Sequence, residues 1–295
     1  MTLLPKPLAL RKELIVSAPM VPPATAPPCV LFDNGSLRPG ATLSLRAIAL
    51  RLQAALGNTV HPVSLLHATA VAPRELGGIP AQLLEPALDA LCAAGATRLV
   101  LLPLFFGPSA ALTQYVPTQL AGLRRRHPAA QLRLGRWLVD VDRPDDTRIA
   151  AIVAGNVRAT SRQRKLARPN VVLVDHGSPE RAVVAVRDLV GQQLHGILRG
   201  EVGRFAVASM ERRPGPAYDF SGPLLASQLR RAGFSEGPVV VAPLFLSPGR
   251  HAGPGGDIAA ICAEPARARP GLQIHLAGLV GEDPGLIDVL ADRYA

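Results

Sequence analysis

The chain repeats itself. Asp175-His176-Gly177-Ser178, at the end of an apolar run, answers Asp33-Asn34-Gly35-Ser36 about 140 residues earlier. Pro243-Leu244-Phe245 answers Pro103-Leu104-Phe105 at nearly the same spacing. A period this long is far outside the roughly 20–50 residues of solenoid units, so it predicts duplication of a whole domain. The length of 295 residues agrees with two domains of roughly 150 each. Two domains of like fold are therefore expected, and the fold of one constrains the other.

Each half alternates short β-branched runs with longer amphipathic stretches, the pattern of a parallel sheet covered by helices. The spacing predicts strands over 30–32, 60–66, 98–104 and 131–134 in the first half, and 170–174, 205–209, 239–245 and 273–277 in the second. Helices are expected over 43–56, 81–94, 119–126 and 145–158, then over 179–198, 224–232, 258–264 and 284–294. The expected organisation is a Pro-rich leader over 1–28, a domain over 29–158, a basic linker over 159–169 and a second domain over 170–295.

The halves differ in the residues that carry chemistry. His176, Glu211 and His251 fall at or just beyond the C-terminal ends of three predicted strands of the second half, the edge where open α/β sheets bind ligands. Each alone is as consistent with an ordinary hydrogen bond or an exposed loop. Together, two imidazoles and a carboxylate suit a first-row divalent ion with positions left open. The first half has Asn34 and Ala111 where the second has His176 and His251, and His67 is aligned with Glu211. His67 is read as a relic rather than a contributor.

The formal charge is +10, and arginines recur near the rim residues: Arg181, Arg212, Arg213 and Arg250. Guanidinium groups match carboxylates, so an anionic ligand is expected. Aromatics at 4% are too few for base-stacking platforms, and no nucleic-acid motif accompanies the charge. Cys29, Cys92 and Cys262 are widely spaced, which predicts free thiols in a reducing cytoplasm rather than a disulfide framework or thiolate cage. No apolar run reaches the roughly 18 residues of a membrane span.

A strand running into His176-Gly177-Ser178, a Glu ending the next strand, and Pro243-Leu244-Phe245-Leu246-Ser247-Pro248-Gly249-Arg250-His251 followed by Ala252-Gly253-Pro254-Gly255-Gly256-Asp257 resemble the sirohydrochlorin chelatases of the CbiX/SirB type. The resemblance runs along 170–295, and along 29–158 in outline only. It implies two tandem chelatase-like α/β domains, the first degenerate, each with a parallel sheet of about four strands. It implies ATP-independent insertion of Co²⁺ or Fe²⁺ into sirohydrochlorin or a related tetrapyrrole, in cobalamin or siroheme biosynthesis, with no nucleotide.

His176, His251 and Glu211 would be the catalytic and metal-binding residues, and Arg250, Ser178 and Arg212 would hold the anionic tetrapyrrole. One site per chain is implied, with the first half as lid and substrate wall. The expected assembly is a monomer with an internal pseudo-dimer, or a homo-oligomer, without nucleic-acid or membrane partners. A non-catalytic tetrapyrrole- or metal-binding relative is the alternative. A histidine phosphatase fits less well, because Asp175 stands where a phosphate-binding arginine precedes the histidine.

Overall fold

A computed structural model describes residues 26–295; most of the expected leader, residues 1–25, lies outside the described residues. The first half contains β1 (Cys29–Asp33), α1 (Pro39–Leu56), β2 (Val60–Ser64), α2 (Leu84–Ala93), β3 (Arg98–Pro103), α3 (Val116–Arg126), β4 (Gln131–Leu134) and α4 (Arg148–Arg164). The second contains β5 (Asn170–Asp175), α5 (Arg181–Ile197), β6 (Phe205–Ser209), α6 (Leu225–Gln228), β7 (Gly237–Pro243), α7 (Asp257–Ala268), β8 (Leu272–Leu276) and α8 (Gly285–Tyr294). All strands pair in parallel, in the orders β2-β1-β3-β4 and β6-β5-β7-β8. The two four-stranded parallel sheets expected from the repeat are present.

Both faces of each central strand are buried, so these strands are almost wholly apolar. The period of two decides which core each residue enters. Cys29 and Leu31 of β1 and Val171 and Leu173 of β5 face one shared core, together with α1, α4, α5 and α8. Val30 and Phe32 face an outer core under α2 and α3, and Val172 and Val174 face its counterpart under α6 and α7. The molecule is thus two sheets with a common layer of helices between them.

That common layer is exchanged. α4 lies on β7 and α5 of the second sheet, while α8 lies on β3 and α1 of the first. Asn156 of α4 donates to the carbonyl of Gly278 at 3.1 Å, and Arg293 of α8 donates to the carbonyls of Trp137 and Leu138 at 3.1 and 3.0 Å. The helix expected to end at Arg158 runs on to Arg164: Arg158 is held by Glu201 and the Ile197 carbonyl of the second half, and Thr160 is still buried. The stretch expected as a linker is therefore largely helix.

Two helices differ from expectation in length. The helix expected over 224–232 is only four residues long; the chain turns after Gln228 and buries Phe234, whose N–H donates to the Arg231 carbonyl at 3.0 Å. α7 passes through Pro265 to Ala268 instead of stopping at Glu264. Proline there forfeits one intrahelical hydrogen bond, and its ring is buried in the outer core's helix layer.

Candidate active site at the strand ends

In the order β6-β5-β7-β8 the connections leave β5 and β7 toward opposite sides, which opens a crevice beyond their carboxyl ends. His176 follows β5 and His251 follows the loop after β7, so both stand at that crevice. Their rings meet edge to face, with centroids 4.7 Å apart. Two imidazoles on neighbouring positions of one ion, with metal–nitrogen bonds of about 2.0–2.1 Å, have centroids about 4.5–5 Å apart. The observed spacing is compatible with such a pair.

The hydrogen bonds fix which nitrogens are free. His251 Nδ1 lies 2.7 Å from Asp257 Oδ2, so Nδ1–H donates to the carboxylate and the Nε2 lone pair is left for a metal. His176 Nδ1 donates to the Gly177 carbonyl at 3.0 Å, again leaving Nε2. Glu211 Oε1 lies 3.3 Å from that Nε2. A proton or a divalent cation between the two satisfies both. Among the described residues no three His, Cys, Asp or Glu side chains form a ready metal cluster, so the site is an imidazole pair backed by one carboxylate, not a closed cage.

The local backbone explains these positions. Gly177 has φ of +90°, and a Cβ there would lie 1.9 Å from the Glu211 carbonyl oxygen. The same close approach lets Glu211 N–H donate to the His176 carbonyl at 3.0 Å, tying the two loops together. The His251 loop is pinned by the start of α7: Asp257 and Ile258 N–H donate to the carbonyls of Arg250 and His251, both at 3.0 Å. Asp257 thus anchors the loop by its backbone and orients the ring by its side chain. Asp257 stands in the segment that carries the family resemblance, but spacing alone gave it no role.

Beneath the rim lies a buried ion pair. Arg187 of α5 meets Asp175 at 3.4 Å and donates to Ser209 Oγ at 2.6 Å and to the Ser221 carbonyl at 2.8 Å. It fastens the ends of β5 and β6, from which His176 and Glu211 emerge. Burial raises the Asp175 carboxyl, and Arg187 opposes that rise. In the first half, Leu45 of α1 stands in the place of Arg187. Asp33 keeps only the Ser64 hydroxyl at 2.6 Å and the Gly35 N–H at 3.0 Å, and burial pushes its pKa up to about 6.

The site opens into a cleft of about 780 Å³ between the halves. The second half contributes His176 and the loop from Phe245 to Ala252; the first contributes Asn34 to Arg38, and His67. Arg250 lines the cleft, and so does Arg38, which sequence reasoning missed because it sits in the half without the metal-pair histidines. Glu211 stands behind His176 rather than on the wall.

Ser178 and Arg212, expected to hold substrate, do not line the cleft, and each has a local partner. Ser178 Oγ accepts from the Glu180 N–H at 3.1 Å, and Arg212 pairs with Asp219 at 3.1 Å. Arg181 and Arg213 lie over the rings of Phe220 and Tyr218. These arginines lie against the aromatic and acidic segment after β6, and the arginines that line the cleft are Arg250 and Arg38.

One alignment is also corrected. Leu66 N–H donates to the Asn34 carbonyl as Glu211 N–H donates to that of His176, and a Cβ on Gly35 would strike the Leu66 carbonyl as one on Gly177 would strike that of Glu211. Leu66, not His67, is the counterpart of Glu211. His67 takes the place of Arg212.

Residues 170–295 match the CbiX family model. Among curated proteins, none matches the chain by sequence. Among solved structures, the chain is similar to SirB from Bacillus subtilis with Fe³⁺ at 16% identity and a TM-score of 0.66, covering 90% of this chain and 94% of that one. The sirohydrochlorin chelatase SirB from Bacillus subtilis subspecies spizizenii, in complex with cobalt, gives 16% and 0.65, covering 90% and 93%. CbiX, the terminal enzyme for biosynthesis of siroheme in denitrifying bacteria, gives 16% and 0.57, covering 90% and 97%. The second half of the chain thus matches the CbiX family in sequence, and the chain as a whole shares the two-domain fold of the SirB and CbiX structures.

Proposed function

We propose that the protein is a metal-insertion lyase that places Co²⁺ or Fe²⁺ in sirohydrochlorin or a related tetrapyrrole, without ATP, in cobalamin or siroheme biosynthesis. The observation that carries the reading is the His176–His251 pair, 4.7 Å between ring centroids, at the crevice beyond β5 and β7. The CbiX match over this half and the metal-bound SirB structures of the same fold support it.

The residues divide the work. His176 and His251 take the metal from water on their Nε2 atoms, and Asp257 holds the His251 ring for it. Two neutral imidazoles bind a divalent ion loosely enough to pass it on. Glu211, beside His176, receives a proton from the macrocycle or balances the ion's charge. Arg38 and Arg250 meet carboxylates of the tetrapyrrole from opposite walls. The cleft falls within the ~300–1,000 Å³ range of small-molecule sites, and its open side leaves the charged periphery of the substrate in water.

No cysteine lines the cleft, and burial pushes Cys29 and Cys262 up to about 12 and raises Cys92 as well. The free cysteines suit a reducing cytoplasm, where we place the protein. Among the described residues, no helix is long and apolar enough to cross a membrane. Each chain carries both walls of its cleft, so one chain makes one complete site.

Anaerobic incubation with sirohydrochlorin and each metal in turn, followed by visible absorbance, tests the reading. The protein is expected to accelerate the metal-dependent spectral change, and His176→Ala and His251→Ala to abolish the acceleration. Insertion no faster than in protein-free solution overturns it. Phosphatase turnover without added divalent metal would point to the other enzyme class.

A further inference from the structure

We infer that His67, on the wall supplied by the half without the metal pair, is a catalytic residue that accepts a pyrrole proton from the substrate; this rests on the chelatase reading. Three observations carry it. His67 lines the same cleft as His176 and His251, from the opposite half. It is no remnant of the metal site, because the hydrogen-bond register makes Leu66 the counterpart of Glu211. Its backbone is held at φ of 63° and ψ of −30°, a region that costs a β-carbon-bearing residue energy and that glycine enters freely.

Among the described residues three non-glycine residues have positive φ, His67, Lys165 and Arg168, and of these only His67 lies on the cleft. The strain is fixed by the turn that follows, where the Ala68 N–H donates to the Leu66 carbonyl at 2.7 Å and the Ala70 N–H to the His67 carbonyl at 3.0 Å. Strain kept at a cleft by an ionisable side chain points to use of that side chain.

The chemistry requires a base on that wall. As a divalent metal enters, two pyrrole N–H bonds break and their electron pairs go to the metal. One proton has an outlet on the side of the second half, at Glu211, which stands behind His176 at 3.3 Å from its Nε2. The other faces the first half, where Asn34, Ser36 and Arg38 offer no base. The His67 imidazole accepts it: a nitrogen–hydrogen bond forms on the ring as the pyrrole bond breaks. The exposed imidazolium then returns the proton to water.

The test compares the full-length wild type with His67→Gln and His67→Gly. Co²⁺ binding alone is followed by titration calorimetry, and anaerobic Co²⁺ insertion into sirohydrochlorin by visible absorbance. All three should bind Co²⁺ with equal affinity. Both variants should insert on the order of 100-fold more slowly, the low end of the effect of one positioned base. Added imidazole should restore part of the rate to His67→Gly, which should also melt no lower than wild type because glycine accepts φ of 63°. Variants that insert at the wild-type rate, or that lose Co²⁺ affinity, overturn the assignment while leaving the chelatase reading intact. A wild type that inserts no metal overturns both.

Discussion

Replacing Asp33 by asparagine should stabilise the protein at neutral pH. Asp33 is enclosed at the end of β1 with the Ser64 hydroxyl and the Gly35 N–H on its Oδ1, and Leu45 stands where the second half has Arg187. Burial raises its pKa from 3.8 to about 6. A tenfold change in a protonation equilibrium is worth about 1.4 kcal/mol, so holding the carboxylate ionised in the fold costs about 3 kcal/mol at pH 7 and above. Part of the residue is open to solvent, which makes that figure a ceiling.

The sign follows from the direction in which burial moves the carboxyl. The fold favours the protonated form, so its contribution is complete below about pH 4, falls as pH rises through about 6, and is gone beyond. Asparagine keeps both hydrogen bonds through Oδ1 and never ionises. Urea unfolding of Asp33→Asn should therefore match wild type near pH 4 and exceed it by up to about 3 kcal/mol at pH 8, a rise of several degrees in Tm at about 2–4 °C per kcal/mol. Equal pH slopes for the two proteins, or a less stable variant at pH 8, would refute the reasoning.

Three further outcomes are expected. His176→Ala and His251→Ala should lose metal insertion while unfolding free energy stays within about 0.5 kcal/mol of wild type by denaturant titration, since both rings sit at a rim. Asp257→Asn should weaken Co²⁺ binding about 10–100-fold by calorimetry without removing the site, the scale of losing a partner that orients a ligand. Gly177→Ala should lower both stability and insertion rate, because its Cβ would lie 1.9 Å from the Glu211 carbonyl oxygen; a variant with wild-type melting and turnover would contradict the close approach of the two loops.

The repeat made both sheets legible, because parallel strands buried on two faces leave long apolar runs ending in small turn residues. The same runs placed His176 and His251 on one rim. The alignment of His67 with Glu211 failed by one residue. β2 and β6 share little beyond a serine, and only the hydrogen-bond register shows that Ser64 matches Ser209. Arg38 was missed and Arg212 misplaced for a related reason. An arginine's reach depends on which acid or ring lies nearby, and Asp219 is a neighbour of Arg212 only once the segment after β6 has folded back. The exchange of α4 and α8 left no trace in periodicity, since an amphipathic helix encodes an apolar face but not which sheet receives it.

That exchange sets the mechanics of the cleft. To spread the walls, α4 must leave β7 or α8 must leave β3. The first uncovers Ile149, Ile152, Val153 and Val157, and the second Leu286, Ile287, Val289 and Leu290. At about 1.5–3 kcal/mol for each aliphatic side chain, either step costs on the order of 10 kcal/mol, comparable with the whole stability of an ordinary domain. The first half is therefore not a lid but a fixed jaw. The gap between the jaws is a gauge set when the chain folds, leaving the remaining motion to side chains.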